Sequence, residues 1–142
     1  MKPIDFFKTA DLLKTHTEEA HLRTSIGRSY YAAFLYFRER LKTLGLEKKK
    51  KPNLDAHAFV VECLGFSRVS EGSKASQYLK GLKQNREDAD YHLDKKLSQN
   101  DAEDALARAR KLIDDYKANI TPTKETKLVE SASSYARSKD WL

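Results

Sequence analysis

The chain has 142 residues, enough for one domain with a real core and too few for two comfortable ones. Charged residues make up 34%, with three prolines and five glycines, a mixture that favours a helical protein over a sandwich or barrel. The formal net charge of +6 is uneven: residues 1–54 hold 12 Lys/Arg against 6 Asp/Glu and the rest is balanced, so the first part is suited to attract a polyanion.

The opening MKPIDFF carries no hydrophobic signal core, and no apolar run is long enough to span a bilayer. Cys63 is the only cysteine, so the chain forms no internal disulfide and no thiolate zinc site alone. The expectation is a cytoplasmic protein with no membrane association.

In chain order, Phe6, Phe7, Ala10, Leu12 and Leu13 mark a short amphipathic helix from Asp5 to about His16. A longer one is predicted over roughly Glu18 to Leu44, with Leu22, Ile26, Tyr30, Ala33, Phe37, Leu41 and Leu44 spaced by threes and fours. Tyr31 and Phe34 widen that stripe, which marks a central helix, and Gly45 is placed to end it. The run EKKKKPN, Glu47 to Asn53, reads as a basic loop, in which Lys48, Lys49, Lys50 and Lys51 are candidate contacts to a polyanion such as nucleic acid.

Asp55 is a predicted N-cap for a short helix to Leu64, with Ala58, Val61 and Leu64 inward. A loop with Gly65, Ser67, Ser70 and Gly72 precedes a helix over about Lys74 to Leu93. The next runs from near Asp101 to Asn119, capped by Ser98 or Asn100, with Ala102, Leu106, Ala109, Ile113 and Tyr116 inward. After Pro122 the sequence is polar, and Leu128, Ala132 and Tyr135 could line one face of a short, weak helix. The whole reads as an all-α, up-and-down bundle of about five helices: a helical domain over residues 1–119 and a polar tail over 120–142.

Chemistry motifs are sparse. GFSRVSEGSK lacks the spacing and the preceding strand of a phosphate-binding loop, and no G-x-S-x-G elbow exists. The histidines His16, His21, His57 and His92 show no metal-ligand spacing, so no metal and no cofactor is expected.

The stretch NREDADYHL, Asn85 to Leu93, is the exception. The inward spacing of its helix runs Leu79, Leu82, Arg86, Ala89, Leu93, which puts a permanent charge where an aliphatic side chain belongs. On a regular helix Arg86 and His92 lie about 120° apart and about 9 Å along the axis, bordering one groove beside Asn85. The ordinary reading of the same residues is a pair of i, i+4 surface contacts, Arg86–Asp90 and Asp88–His92.

Arg86-x5-His92 follows GRSYYAAFLYFRERL, Gly27 to Leu41, and DAHAFVVECLG, Asp55 to Gly65, and sits within LKQNREDADYH. In order and content these segments resemble the HEPN family, in particular small stand-alone bacterial and archaeal members of toxin–antitoxin or defence loci. The resemblance covers about residues 5–116 and rests on R-x4-6-H together with Arg28-Ser29-x-Tyr31-Ala32-x-Phe34, His57 and Ala89-Asp90-Tyr91.

The resemblance implies metal-independent RNA cleavage by a homodimer, with Arg86 and His92 lining a cleft between subunits. A ribose 2′-OH would attack the adjacent phosphate, leaving a 2′,3′-cyclic phosphate and a 5′-OH. A histidine can take or give a proton at neutral pH, and an arginine can clamp two phosphate oxygens. Asn85, Asp88, Asp90, Tyr91, Arg28 and Tyr31 are supporting candidates. A nucleotidyltransferase-type antitoxin is a candidate partner. Glu87 departs from the Asn, Asp or His often found after the arginine. Tyr91 precedes the histidine, where some such toxins have a modifiable tyrosine after it.

Without a ligand, a charge on an apolar stripe is costly, so Arg86→Ala is expected to raise stability while abolishing cleavage. The alternative function is a non-catalytic HEPN module that binds nucleotide or RNA, or partners a nucleotidyltransferase. A plain helical adaptor fits the composition but leaves the Arg–His placement without a role.

Overall fold

A computed structural model describes residues 1–49 and 54–142. Among them are six helices and no strand: α1 (Asp5–Leu13), α2 (Glu19–Thr43), α3 (Ala56–Gly65), α4 (Ser70–Tyr91), α5 (Gln99–Asn119) and α6 (Pro122–Ser138). The all-helical class agrees with the sequence reading; the number of helices is one higher than expected from it. None of the helices is long and apolar enough to cross a membrane. The residues group into two compact units, one of 1–36 and 78–113, the other of 37–77 and 114–142.

In the first unit Leu22 and Ile26 of α2 pack with Ala89 of α4 and with Ala102 and Ala105 of α5, and Leu97 closes the cluster. The alanines matter because small side chains let helix axes approach closely. Helix α1 buries Phe7 and Ala10. Its end is fastened to α2 by the buried Ser25 hydroxyl, which donates to the Ala10 carbonyl at 2.8 Å. Helix α5 opens with a capping box: the Asp101 carboxylate accepts from the Ser98 N–H at 2.8 Å, and the Ser98 hydroxyl accepts from the Asp101 N–H at 3.3 Å.

In the second unit Asp55 caps α3 as expected, accepting from the His57 N–H at 3.1 Å. That helix is buried on more sides than its spacing indicated, enclosing His57, Phe59, Val60, Val61, Cys63 and Leu64. Helix α2 ends in a Schellman motif: Gly45 sits at φ +90°, its N–H reaches the Lys42 carbonyl, and the Leu46 N–H reaches that of Leu41. Lys48 donates to the Leu54 carbonyl at 2.6 Å. Lys50 and Lys51 of the expected basic loop lie outside the described residues.

The segment after Pro122 is a longer helix than its polar sequence suggested, with Leu128 and Ala132 inward as expected. It is a 17-residue helix, started by Thr121 as N-cap with Pro122 in its first turn, and it buries Glu125, Leu128, Ala132 and Ala136. Its end turns back through Asp140 at φ 57°, which delivers Trp141 to a buried position beside Phe59 and Tyr135. Glu125 accepts from Tyr116 at 2.8 Å and pairs with Arg40. Burial works against its charge, but the Arg40 and Tyr116 hydrogen bonds outweigh that and hold its carboxyl below the ordinary range.

Candidate functional site

Asn85 to Tyr91 on the last two turns of α4, with His92 just past them, face two different neighbourhoods of the first unit. The first is aromatic. Arg86 places its guanidinium carbon 5.4 Å from the ring centre of Tyr31 and 5.9 Å from that of Tyr30, both on α2. Its Nε donates to Asp90 at 3.0 Å, one turn on. The ring of Tyr31 in turn sits 6.2 Å from Phe6 of α1, over which the Arg28 guanidinium lies at 5.4 Å.

The charge on the inward stripe therefore has partners within the chain, an exposed carboxylate and two π-faces, and it is not an orphan awaiting a ligand. The two terminal nitrogens of Arg86 nevertheless make no hydrogen bond to any described residue, and its side chain is 21% exposed. A fork of donors remains available to an oxyanion.

The second neighbourhood is polar and centres on Asp88, which is buried although charged. Its Oδ1 lies 2.8 Å from Nδ1 of His92 and accepts from Gln84 at 3.0 Å, while its Oδ2 accepts from Lys95 at 2.8 Å. Lys95 above all, then Gln84 and, against the opposing effect of burial, His92 hold this carboxyl down at about 2. An ionised carboxylate can only accept, so the Asp88 contact puts the proton of a neutral His92 ring on Nδ1 and leaves the Nε2 lone pair outward. The His92 side chain is 56% exposed, so that lone pair is accessible.

Helix α4 ends at Tyr91, two residues short of the expected Leu93, and Leu93 is 77% exposed and not part of an inward stripe. His92 stands just past the helix, its N–H still bonded to the Asp88 carbonyl at 3.1 Å. The end of α4 is closed by Arg23 of α2. Its Nη1 lies 3.1, 2.9 and 3.3 Å from the carbonyl oxygens of Asp88, Ala89 and His92, and its Nη2 bonds that of Lys95. Glu19, one turn earlier, accepts from Arg23 and from the Leu97 N–H at 3.2 Å.

Both ordinary i, i+4 pairs, Arg86–Asp90 and Asp88–His92, are thus formed. The structure joins Arg86 with Tyr31 and Asp90, and His92 with Asp88. Among the described residues no hydrogen bond, ion pair or ring contact links Arg86 to His92. Asn85 is half-buried beside Asp88 and Lys95, where with Ile26, Leu97 and Asp101 it borders a cleft of about 100 Å³. Arg28 lies over Phe6, which in turn neighbours Tyr31, and Tyr91 is exposed. Among the described residues no three His, Cys, Asp or Glu side chains are grouped to hold a metal ion.

Arg23, Lys95, Gln84 and Tyr30 do not stand out as site residues in the sequence. Only Glu19-x3-Arg23 leaves a local trace, as an i, i+4 pair at the start of α2. The family model of the HEPN domain matches residues 4–119. No curated protein and no solved structure matches the chain.

Proposed function

The chain belongs to the HEPN family, and from that premise we propose that it is a metal-independent endoribonuclease whose reacting groups are Arg86 and His92. The observation that carries this reading is the availability of both groups on one helix end. Arg86 has an uncommitted donor fork, and His92 has an outward Nε2 whose opposite nitrogen is held by Asp88.

In the proposed reaction Nε2 of a neutral His92 takes the proton of a ribose 2′-OH as that oxygen attacks the adjacent phosphorus. The P–O5′ bond breaks, the departing oxygen is protonated, and the products are a 2′,3′-cyclic phosphate and a 5′-OH. Arg86 balances the charge gathering on the phosphorane oxygens. One histidine cannot comfortably stand on both sides of an in-line displacement, so we place a second copy across a homodimer cleft, where the two chains supply base and acid. The exposed Tyr91 and the cleft-lining Asn85 are assigned supporting contacts to the RNA in this reading. A role as toxin or defence effector, controlled by a nucleotidyltransferase-type antitoxin, follows from the family resemblance.

The second reading, a HEPN module that binds nucleotide or RNA without cutting it, is favoured by one observation. Asp90, Tyr30 and Tyr31 already account for Arg86 as a structural cation. Incubating total RNA with the wild type and with His92→Ala, in EDTA, decides between them. Cyclic-phosphate ends from the wild type alone support the ribonuclease. Equal absence from both supports the binding module.

A further inference from the structure

The geometry points to Arg23 as the residue that positions His92; its relevance to cleavage rests on the ribonuclease reading, while the positioning itself does not. His92 lies past the last residue of α4, where the backbone carbonyls have lost their helical partners and a chain end ordinarily frays. Leu93, Asp94, Lys95 and Lys96, which follow it, are all exposed, and apolar packing resumes only at Leu97.

The Arg23 guanidinium nevertheless gathers four carbonyls from this same stretch, those of Asp88, Ala89, His92 and Lys95. Its own side chain is only 11% exposed and is steadied by Glu19 through Nε at 3.1 Å and Nη2 at 2.8 Å.

The consequence passes to the imidazole by two routes. Directly, Arg23 fixes the His92 main chain through its carbonyl. Indirectly, it fixes the Lys95 main chain, and Lys95 is the ammonium that holds Asp88, the carboxylate that orients the ring. Glu19 ties down the far side of the turn through the Leu97 N–H. Arg23 touches no reacting atom in this scheme. It converts a helix end into a platform stiff enough to present one ring nitrogen, and a planar five-donor cation suits the task because the carbonyls lie on two edges of it.

The test follows the ring itself. Nitrogen-15 NMR of the full-length protein, selectively labelled on histidine, reports the His92 tautomer and the exchange rate of its amide. Arg23→Ala should mix the two tautomers and speed exchange of the His92 N–H. Arg23→Lys, which retains the charge and should fold even where alanine does not, should restore only part of the wild-type signal. Arg110→Ala is the control, since Arg110 is a structural cation of the same unit over Phe7; it should leave the His92 signals unchanged.

With cleavage active, Arg23→Ala should lower kcat by about 100-fold and change KM by no more than roughly threefold. Wild-type His92 signals in both Arg23 variants overturn the proposal, as does an equal change in Arg110→Ala. If the wild type cuts no RNA, the ribonuclease reading falls, and the NMR result still decides whether Arg23 positions His92.

Discussion

Asp88 and His92 are joined by a 2.8 Å contact across the last turn of α4, with the carboxylate buried and the imidazole half in solvent. The two ends of this bond differ in what they contribute. Asp88 keeps Lys95 and Gln84 when the ring is removed, so the histidine depends on the aspartate more than the reverse. His92→Ala should therefore abolish RNA cleavage while changing stability by no more than about 0.5 kcal/mol, the usual range for an exposed side chain. Parallel cleavage assays and thermal melts check this, and a melting point far below wild type would contradict it.

Arg86→Ala should also abolish cleavage, but its effect on stability has the opposite sign from the one the bare stripe implied. Removing the guanidinium forfeits its place over Tyr30 and Tyr31 and its Asp90 pair, which should destabilise the fold by about 1 kcal/mol. Arg86→Lys should keep part of the stability and little of the activity, because a point charge lacks the two-pronged phosphate contact. Chemical denaturation alongside single-turnover cleavage separates the two effects.

The Asp88 carboxyl titrates at about 2 in the folded chain, below its usual value near 4. A group depressed on folding contributes stability above its unfolded pKa and loses it as the pH falls through the folded one. Acid should thus weaken the protein progressively between about pH 4 and pH 2. Asp88→Asn should flatten that part of the profile and, with the acceptor replaced by an amide, impair cleavage across the whole pH range. Melting curves at a series of pH values follow the first effect.

Helix α6 makes a prediction that a polar tail would not. Leu128 is fully buried, so Leu128→Ala should cost about 2–5 kcal/mol. Glu125→Gln, which breaks the Arg40 pair but keeps the shape, should cost about 1–3 kcal/mol. Near-neutral values in urea titrations of both variants would return the segment to the status of an appendage.

Replacing Lys48, Lys49, Lys50 and Lys51 by serine should weaken RNA binding and flatten its salt dependence, by up to about 0.7 in the log–log slope for each phosphate no longer neutralised. Lys48 should contribute least, since its ammonium already serves the Leu54 carbonyl. Affinity measured at several salt concentrations gives both quantities; unchanged slopes would make the loop a solvated connector.

How much of this was legible in the sequence depended on the range of the interaction. Helices α2 and α5 showed themselves through apolar residues at threes and fours, and Asp55, Ser98 and Gly45 marked ends that local hydrogen bonds do close. Periodicity overran the end of α4 because Leu93 continues the spacing, whereas the helix stops where Arg23 draws off its carbonyls. That arginine lies some 65 to 72 positions earlier in the chain, beyond the reach of any window. Helix α6 looked weak because it buries mostly alanines and a carboxylate, which carry little hydrophobic signal until Arg40, Tyr116 and Trp141 are seen around them. Arg86 was singled out because a charge on an apolar stripe is a local anomaly, and His92 by its spacing from it; Tyr30 beside Arg86, and Lys95 and Gln84 on Asp88, produce no such signal.

The closure of α4 by Arg23 has a consequence for any anionic substrate. A helix carries roughly half a negative charge at its C-terminus, and here Glu87, Asp88, Asp90 and Asp94 stand around that end. Left alone, it would repel the phosphate that the proposed reaction brings to His92. Arg23 donates to the very carbonyls that bear the dipole's negative pole, and Lys95 sits on Asp88, so part of the negative field at the helix end is offset at its source. The same hydrogen bonds that order this turn lower the electrostatic cost of bringing the proposed polyanionic substrate to it.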